Sequence, residues 1–240
     1  DTELTIPTGE SVSERQTLCG GRAVYEACVK LKQDLDSRPW QPGEERRAEY
    51  YYACDPCFAI GDFEGAKKRG AKYRNFPAYA YATQAAIVEV DRETGEVRLL
   101  KVIAAHDVGR AINPHIIEGQ MHGSCSMGQG YALTEGYPTE NGYPVKTLYR
   151  QLGLPRAEDT PDYEIILIED PEPQGPFGAK GISEVATVPV TPAILNAVSR
   201  AIGVRINKVP ASPDVVLEVI RTGKCDVPTM EQQIKELEQS

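Results

Sequence analysis

Two apolar runs, Ala85–Val90 and Val97–Ala105, flank the turn Asp91-Arg92-Glu93-Thr94-Gly95, and that arrangement confines this part of the chain to a β-hairpin. The returning strand leads into Asp107-Val108-Gly109-Arg110. A helix then opens at Asn113-Pro114, with Asn as its N-cap and Pro as its first residue. This helix, about 114–135, carries Gly119, Gly123, Ser124, Ser126, Gly128 and Gly130. Each interior Gly costs about 1 kcal/mol relative to Ala, so the helix is poor in isolation. It makes sense where another backbone or a cofactor packs tightly against it; the alternative is a break into loop near Gly128.

Elsewhere the spacing predicts a helix opening at Gly20-Gly21, with Ala23, Ala27, Val29, Leu31 and Leu35 on its apolar face and Ser37-Arg38-Pro39 ending it. Aromatic-rich Tyr50–Phe58 suits a strand, and basic, Gly-containing Gly61–Arg74 reads as an exposed loop. Residues 136–162 read as irregular. Tyr163–Glu169 is a strand, 190–202 a helix stopped by Gly203, and 213–221 a short helix. Residues 229–240 form a charged amphipathic tail. Strands pair as hairpins and do not alternate with helices, so the expected class is α+β with mixed or antiparallel sheets and packed helices.

A net charge of −9 and a pI near 5.0 argue against nucleic acid as a partner. No apolar run approaches the roughly 18 residues that a membrane span needs. The start, Asp1-Thr2-Glu3, has neither Met nor the pattern of a signal peptide, which reads as a truncated, processed or partial chain. Six sparse cysteines point to reduced thiols and the cytoplasm.

Among residues that carry chemistry, Glu184 ends the glycine-dense run Gly175-Pro176-Phe177-Gly178-Ala179-Lys180-Gly181-Ile182-Ser183. Two readings stand: a general base poised in a cleft, or a first-turn acid favoured by the helix dipole. Ser11–Thr17, containing Glu14, Arg15 and Gln16, precedes a helix at Gly20-Gly21 and could cradle an anion. Cys54-Asp55-Pro56-Cys57 has the C-x-x-C spacing of zinc and redox sites, yet no second ligand pair follows. His115 and His122 on one helix stand roughly 10 Å apart along its axis. That separation is too great for one ion bound at about 2 Å by each imidazole. Ser124 lacks the G-x-S-x-G frame of a hydrolase elbow.

Taken in order, four segments resemble the xanthine dehydrogenase and aldehyde oxidoreductase (molybdenum hydroxylase) family. They are Val12–Gln16 with Ala23–Cys28, Ala105–Pro114 with Gly119-Gln120, Gly178–Glu184 with Thr191–Ile194, and Val209–Pro213. The resemblance implies that all of 1–240 belongs to the C-terminal molybdopterin-binding region of a catalytic subunit, either a fragment or a split subunit. It implies a molybdenum-dependent oxidoreductase that inserts water-derived oxygen at an electron-poor C–H of a purine, N-heterocycle or aldehyde. Glu184 would be the base. Val12, Ser13, Glu14, Arg15, Gln16, Gln120, Lys180 and Gly181 would line a molybdopterin in its cytosine dinucleotide form, whose dithiolene holds the metal without a side-chain ligand. Iron–sulfur and flavin (FAD) groups would lie on other domains or subunits, and the rest of the molybdopterin subunit would be an obligate partner. Most relatives carry Gly-Glu where this chain has Ser183-Glu184. The competing readings are a non-catalytic structural or assembly relative, and a small thiol or zinc module built on Cys54 and Cys57.

Overall fold

The computed structural model of the chain describes Glu3, Ser11 and residues 14–225; Val12, Ser13 and the expected tail at 229–240 lie outside the described residues. The chain divides into two compact units. The first comprises Asp1–Tyr81, His106–Ile117 and Leu167–Glu184; the second comprises Ala82–Ala105, Glu118–Ile166 and Val185–Ser240.

The second unit is built on the hairpin. Strands β1 (Ala82–Val90) and β2 (Val97–Asp107) join β5 (Asp162–Ile168) in a three-stranded sheet of order β1-β2-β5. The hairpin turn closes through Asp91, whose Oδ1 accepts the amides of Glu93 (2.7 Å) and Thr94 (3.1 Å). These backbone hydrogen bonds, Thr94 first and then Glu93, hold the Asp91 carboxyl below the usual carboxylate range. Helix α5 (Val190–Ile202) packs on β1. Its Val190, Ile194, Val198 and Ile202, spaced one turn apart, are all buried, and Gly203 at φ 80° closes it.

Helix α3 (Pro114–Leu133) is continuous through Gly128. Its N-cap is as expected, with Asn113 Oδ1 accepting from the Ile116 amide at 3.2 Å. Gly128 lies against α5, where a Cβ would collide with the side chain of Val190. Thr191 Oγ1 also donates to the Gly128 carbonyl at 2.9 Å. Gly128 therefore serves a close helix–helix approach within this unit, which offsets part of the cost of glycine in the helix. Helix α6 (Pro213–Thr222) buries Val215, Val216 and Val219. Between α3 and β5 the chain is irregular apart from the two-residue strands β3 (Thr139–Glu140) and β4 (Tyr143–Pro144) and short 3-10 turns.

The first unit departs from expectation in two places. Tyr50–Phe58 has no regular secondary structure. Its aromatic residues find no strand neighbour: Tyr51 is 91% exposed, and the Phe58 amide goes to the Arg74 carbonyl. β-propensity without a partner strand does not make a strand. The second correction lies within Gly61–Arg74, expected as loop, which holds helix α2 (Phe63–Lys68). Asp62 caps it by accepting from the Gly65 amide at 2.8 Å. Glu64 in the first turn and Lys67 and Lys68 in the last complement its dipole.

One expectation about apolar runs is also corrected. Glu184–Ile202, 19 residues, is long and apolar enough by length and composition to cross a membrane. The stretch is interrupted, however: α4 spans Glu184–Thr187 and α5 starts at Val190.

Candidate active site

The glycine-dense segment that carries Glu184 is held in the first unit by β2's end and by the amino-terminal segment. The Lys180 amide donates to the Val108 carbonyl at 3.1 Å, and the Arg110 amide donates to the Gly178 carbonyl at 2.8 Å. Gly109 and Ala179 thus form an isolated antiparallel bridge. Gly109 sits at φ 63°, and a Cβ there would collide with the Gly178 carbonyl, so both conformation and space demand glycine. Beside this bridge, Lys180 Nζ donates to Asp107 Oδ2 at 2.5 Å, and both side chains are 6% exposed. Asp170, at 3.7 Å, is a second, solvent-facing partner of the same ammonium. Asp107 Oδ1 meanwhile accepts the Gly109 amide at 3.0 Å. Glu184 itself is exposed at the first position of α4.

The amino-terminal segment approaches the same loop. Glu14, at φ 61°, lies so close to Gly181 that a Cβ on that glycine would strike the Glu14 side chain. A π-helical turn, Gln16–Gly20, then runs straight into α1 (Gly21–Ser37). Arg15 and Gln16 are exposed on this turn. The first turns of α1 pack on the loop's upstream half: Gly21 faces Pro176, Arg22 Nη1 donates to the Pro173 carbonyl at 3.2 Å, and Tyr25 meets Phe177 edge-on at 4.8 Å. The structure thus brings together Glu14 and Gly181, residues far apart in sequence. It places the Lys180 ammonium in a buried ion pair, with both its hydrogen-bonded partner and its longer contact being carboxylates. Asp107, Arg22 and the Tyr25–Phe177 contact were not singled out from the sequence. Asp107 carried a usable signal, an acid ending an apolar strand just before a glycine.

Gln120, the remaining residue expected at the cofactor, belongs to the second unit and is exposed on α3. Near it, Gly119 and Gly123 have open space where a Cβ would stand, so the helix backbone is bare on that face.

The other sequence candidates are placed as follows. Cys54 is exposed and Cys57 partly so, with Cys57 Sγ donating to the Asp55 carbonyl at 3.5 Å. Burial first, then the neighbouring Cys54, pushes the Cys57 and Cys19 thiols up. Thiols shifted that way are poor nucleophiles at neutral pH. Among the described residues no group of three or more His, Cys, Asp or Glu side chains is disposed to hold a metal ion. His106 is fully buried on β2, whereas His115 and His122 are exposed, the latter stacked obliquely on Tyr163 with centroids 5.2 Å apart. Ser124 is buried on α3.

Residues 1–161 match the model of the molybdopterin cofactor-binding domain family. The chain belongs to that family. Glu184 lies beyond the matched span, and the match to relatives carries the comparison further. A probable xanthine dehydrogenase subunit from Bacillus subtilis (strain 168) is 37% identical over 142 residues, covering 59% of this chain and 19% of the relative. An aldehyde oxidoreductase of Megalodesulfovibrio gigas is 30% identical over 237 residues, covering 92% of this chain and 24% of the relative. The crystal structure of the aldehyde oxidoreductase from Desulfovibrio desulfuricans ATCC 27774 superposes with a TM-score of 0.71 at 27% identity, covering 90% of this chain and 24% of that one. The chain therefore spans about a fifth to a quarter of these relatives. The mixed helix-and-sheet fold is that of the molybdopterin-binding portion of molybdenum hydroxylases.

Proposed function

We propose that the chain is the base-bearing part of a molybdenum hydroxylase's catalytic subunit, with Glu184 as the catalytic base. The observation that carries this is the meeting of Glu14 with Gly181, three residues ahead of Glu184. Two segments that resemble the family's cofactor loop and its glutamate loop are packed against each other in one unit. The residues fit the group. The missing Cβ of Gly181 leaves the room that the Glu14 side chain occupies, while Arg15 and Gln16 offer exposed donors suited to a phosphate-bearing pterin. Gln120, in the second unit, is assigned to the cofactor on resemblance alone.

When bound, molybdopterin supplies the two-electron redox chemistry, and the protein supplies binding, orientation and proton transfer. Arg15 and Gln16 anchor the cofactor's anionic end, and Glu14 and Gly181 shape the wall beside it. Glu184 takes a proton at a carboxylate oxygen as the oxygen nucleophile attacks an electron-poor carbon of an aldehyde, purine or N-heterocycle. Val12 and Ser13 are assigned to the same wall on resemblance alone.

The remaining assignments rest on the relatives. The family resemblance is the support for a cytosine dinucleotide form of the cofactor and for iron–sulfur and FAD groups on other domains or subunits, and the six sparse cysteines are the support for a cytoplasmic setting. The Bacillus subtilis relative is itself named as a subunit. Helix α5 is read as a core helix and not a membrane span, because its apolar face is buried in the second unit. The charge of −9 supports small-molecule rather than nucleic-acid chemistry.

Co-production with the remaining part of the subunit, followed by elemental and pterin analysis, tests the reading. Molybdenum and pterin are expected in near-stoichiometric amounts. Stoichiometric zinc at Cys54 and Cys57 with no molybdenum would overturn it in favour of the thiol module.

A further inference from the structure

The buried Lys180–Asp107 pair does more than neutralise two charges. We infer that Lys180 and Asp107 are positioning residues that hold the Glu184 loop in register, an inference that rests on the assignment of Glu184 as the base. Lys180 stands four residues ahead of Glu184, and the intervening backbone carries the Gly181 contact with Glu14.

The pair sits beside the isolated bridge that joins β2's end to this loop, next to the hydrogen bonds Lys180 N to Val108 O and Arg110 N to Gly178 O. Asp107 works in both directions at once. Its Oδ1 takes the Gly109 amide at 3.0 Å and fixes the turn leaving β2, while its Oδ2 takes the Lys180 ammonium. A single carboxylate thus ties the sharp backbone of Gly109 to the loop it must meet. Glu184 is exposed, and upstream of it the loop is fixed at Lys180 and Gly181. A buried pair is weak evidence of stability but can fix one register among several. Here the register set is that of a loop whose carboxylate must lie within a fraction of an ångström of the reacting atoms. The arrangement also removes the Lys180 ammonium from the ligand: its contribution to the site is mechanical, through the loop.

The test uses the assembled enzyme and a double variant, Asp107→Asn with Lys180→Met. Asn keeps the acceptor for the Gly109 amide, and neither replacement leaves a buried charge. Hydrogen exchange of peptides covering 178–184 is expected to rise about tenfold, with molybdenum and pterin content held. A kcat lower by about ten- to a hundredfold with KM within about threefold completes the expected result. Unchanged exchange and unchanged kcat in the double variant would overturn the inference. Should the variant fail to assemble, exchange in the unmodified enzyme decides: the Lys180 and Arg110 amides are expected to be among the slow ones of the first unit, and rapid exchange there overturns it. A parallel Glu184→Gln sample separates the two failures. If Glu184→Gln abolishes turnover while the double variant is normal, only the positioning role falls; if Glu184→Gln is normal, the assignment of the base falls.

Discussion

His106 is fully buried on β2, and burial holds its imidazole below the ordinary value of 6.5. The unfolded chain therefore takes up the proton first as pH falls. Stability should decline as pH drops below about 6.5 toward the lower folded value, by at most about 1.4 kcal/mol per pH unit within that window. Denaturant midpoints at pH 7.5 and 5.5 measure it, and a His106→Gln variant is expected to lose that part of the dependence; an identical slope in the variant would show that other groups cause it. One residue further on, Asp107→Asn alone leaves Lys180 buried and without its charged hydrogen-bond partner. The cost expected in urea unfolding is about 3–5 kcal/mol, most of it recovered when Lys180→Met is added. A single variant as stable as the parent protein would mean that the pair is solvated in solution.

At the scale of elements, α3 contrasts two glycines. Gly128→Ala drives a Cβ into Val190 on α5, with Val190 Cγ1 also at 2.7 Å, and should cost about 1–3 kcal/mol. Gly123→Ala points into open space and should gain about 1 kcal/mol from helix propensity alone. Thermal melts of the two variants are expected to move in opposite directions, and a harmless Gly128→Ala would refute the close packing of α3 and α5. The same elements show what was legible from sequence. The hairpin, the Asn113 cap, α5 with Gly203 and α6 follow from local periodicity and capping, and they stand where the spacing puts them. Tyr50–Phe58 and α2 were misread because their outcome depends on other things: a strand needs a neighbour that the local sequence does not display, and Asp62 as a cap is a single-residue signal inside a basic, glycine-containing run. At the site, the residue types were readable but their meeting was not. Glu14 against Gly181 and Asp107 under Lys180 join positions 167 and 73 residues apart, which no local pattern encodes.

For the whole molecule, the first unit has few buried apolar side chains, among them Leu18, Phe58, Ala66, Val108 and Ala179, while α1 buries none of its residues. Large apolar side chains such as Val24, Trp40, Tyr51, Ile60 and Tyr81 are exposed there. Limited trypsin should cut first at the exposed Lys67, Lys68 and Arg69 and leave the β1–β2 hairpin intact; early loss of the hairpin would contradict the placement of the well-packed core in the second unit. The decisive measurement is turnover of the assembled enzyme carrying Glu184→Gln. Molybdenum and pterin should remain at parent levels while kcat falls by about a hundredfold or more. Undiminished turnover at full cofactor loading would contradict Glu184 as the base.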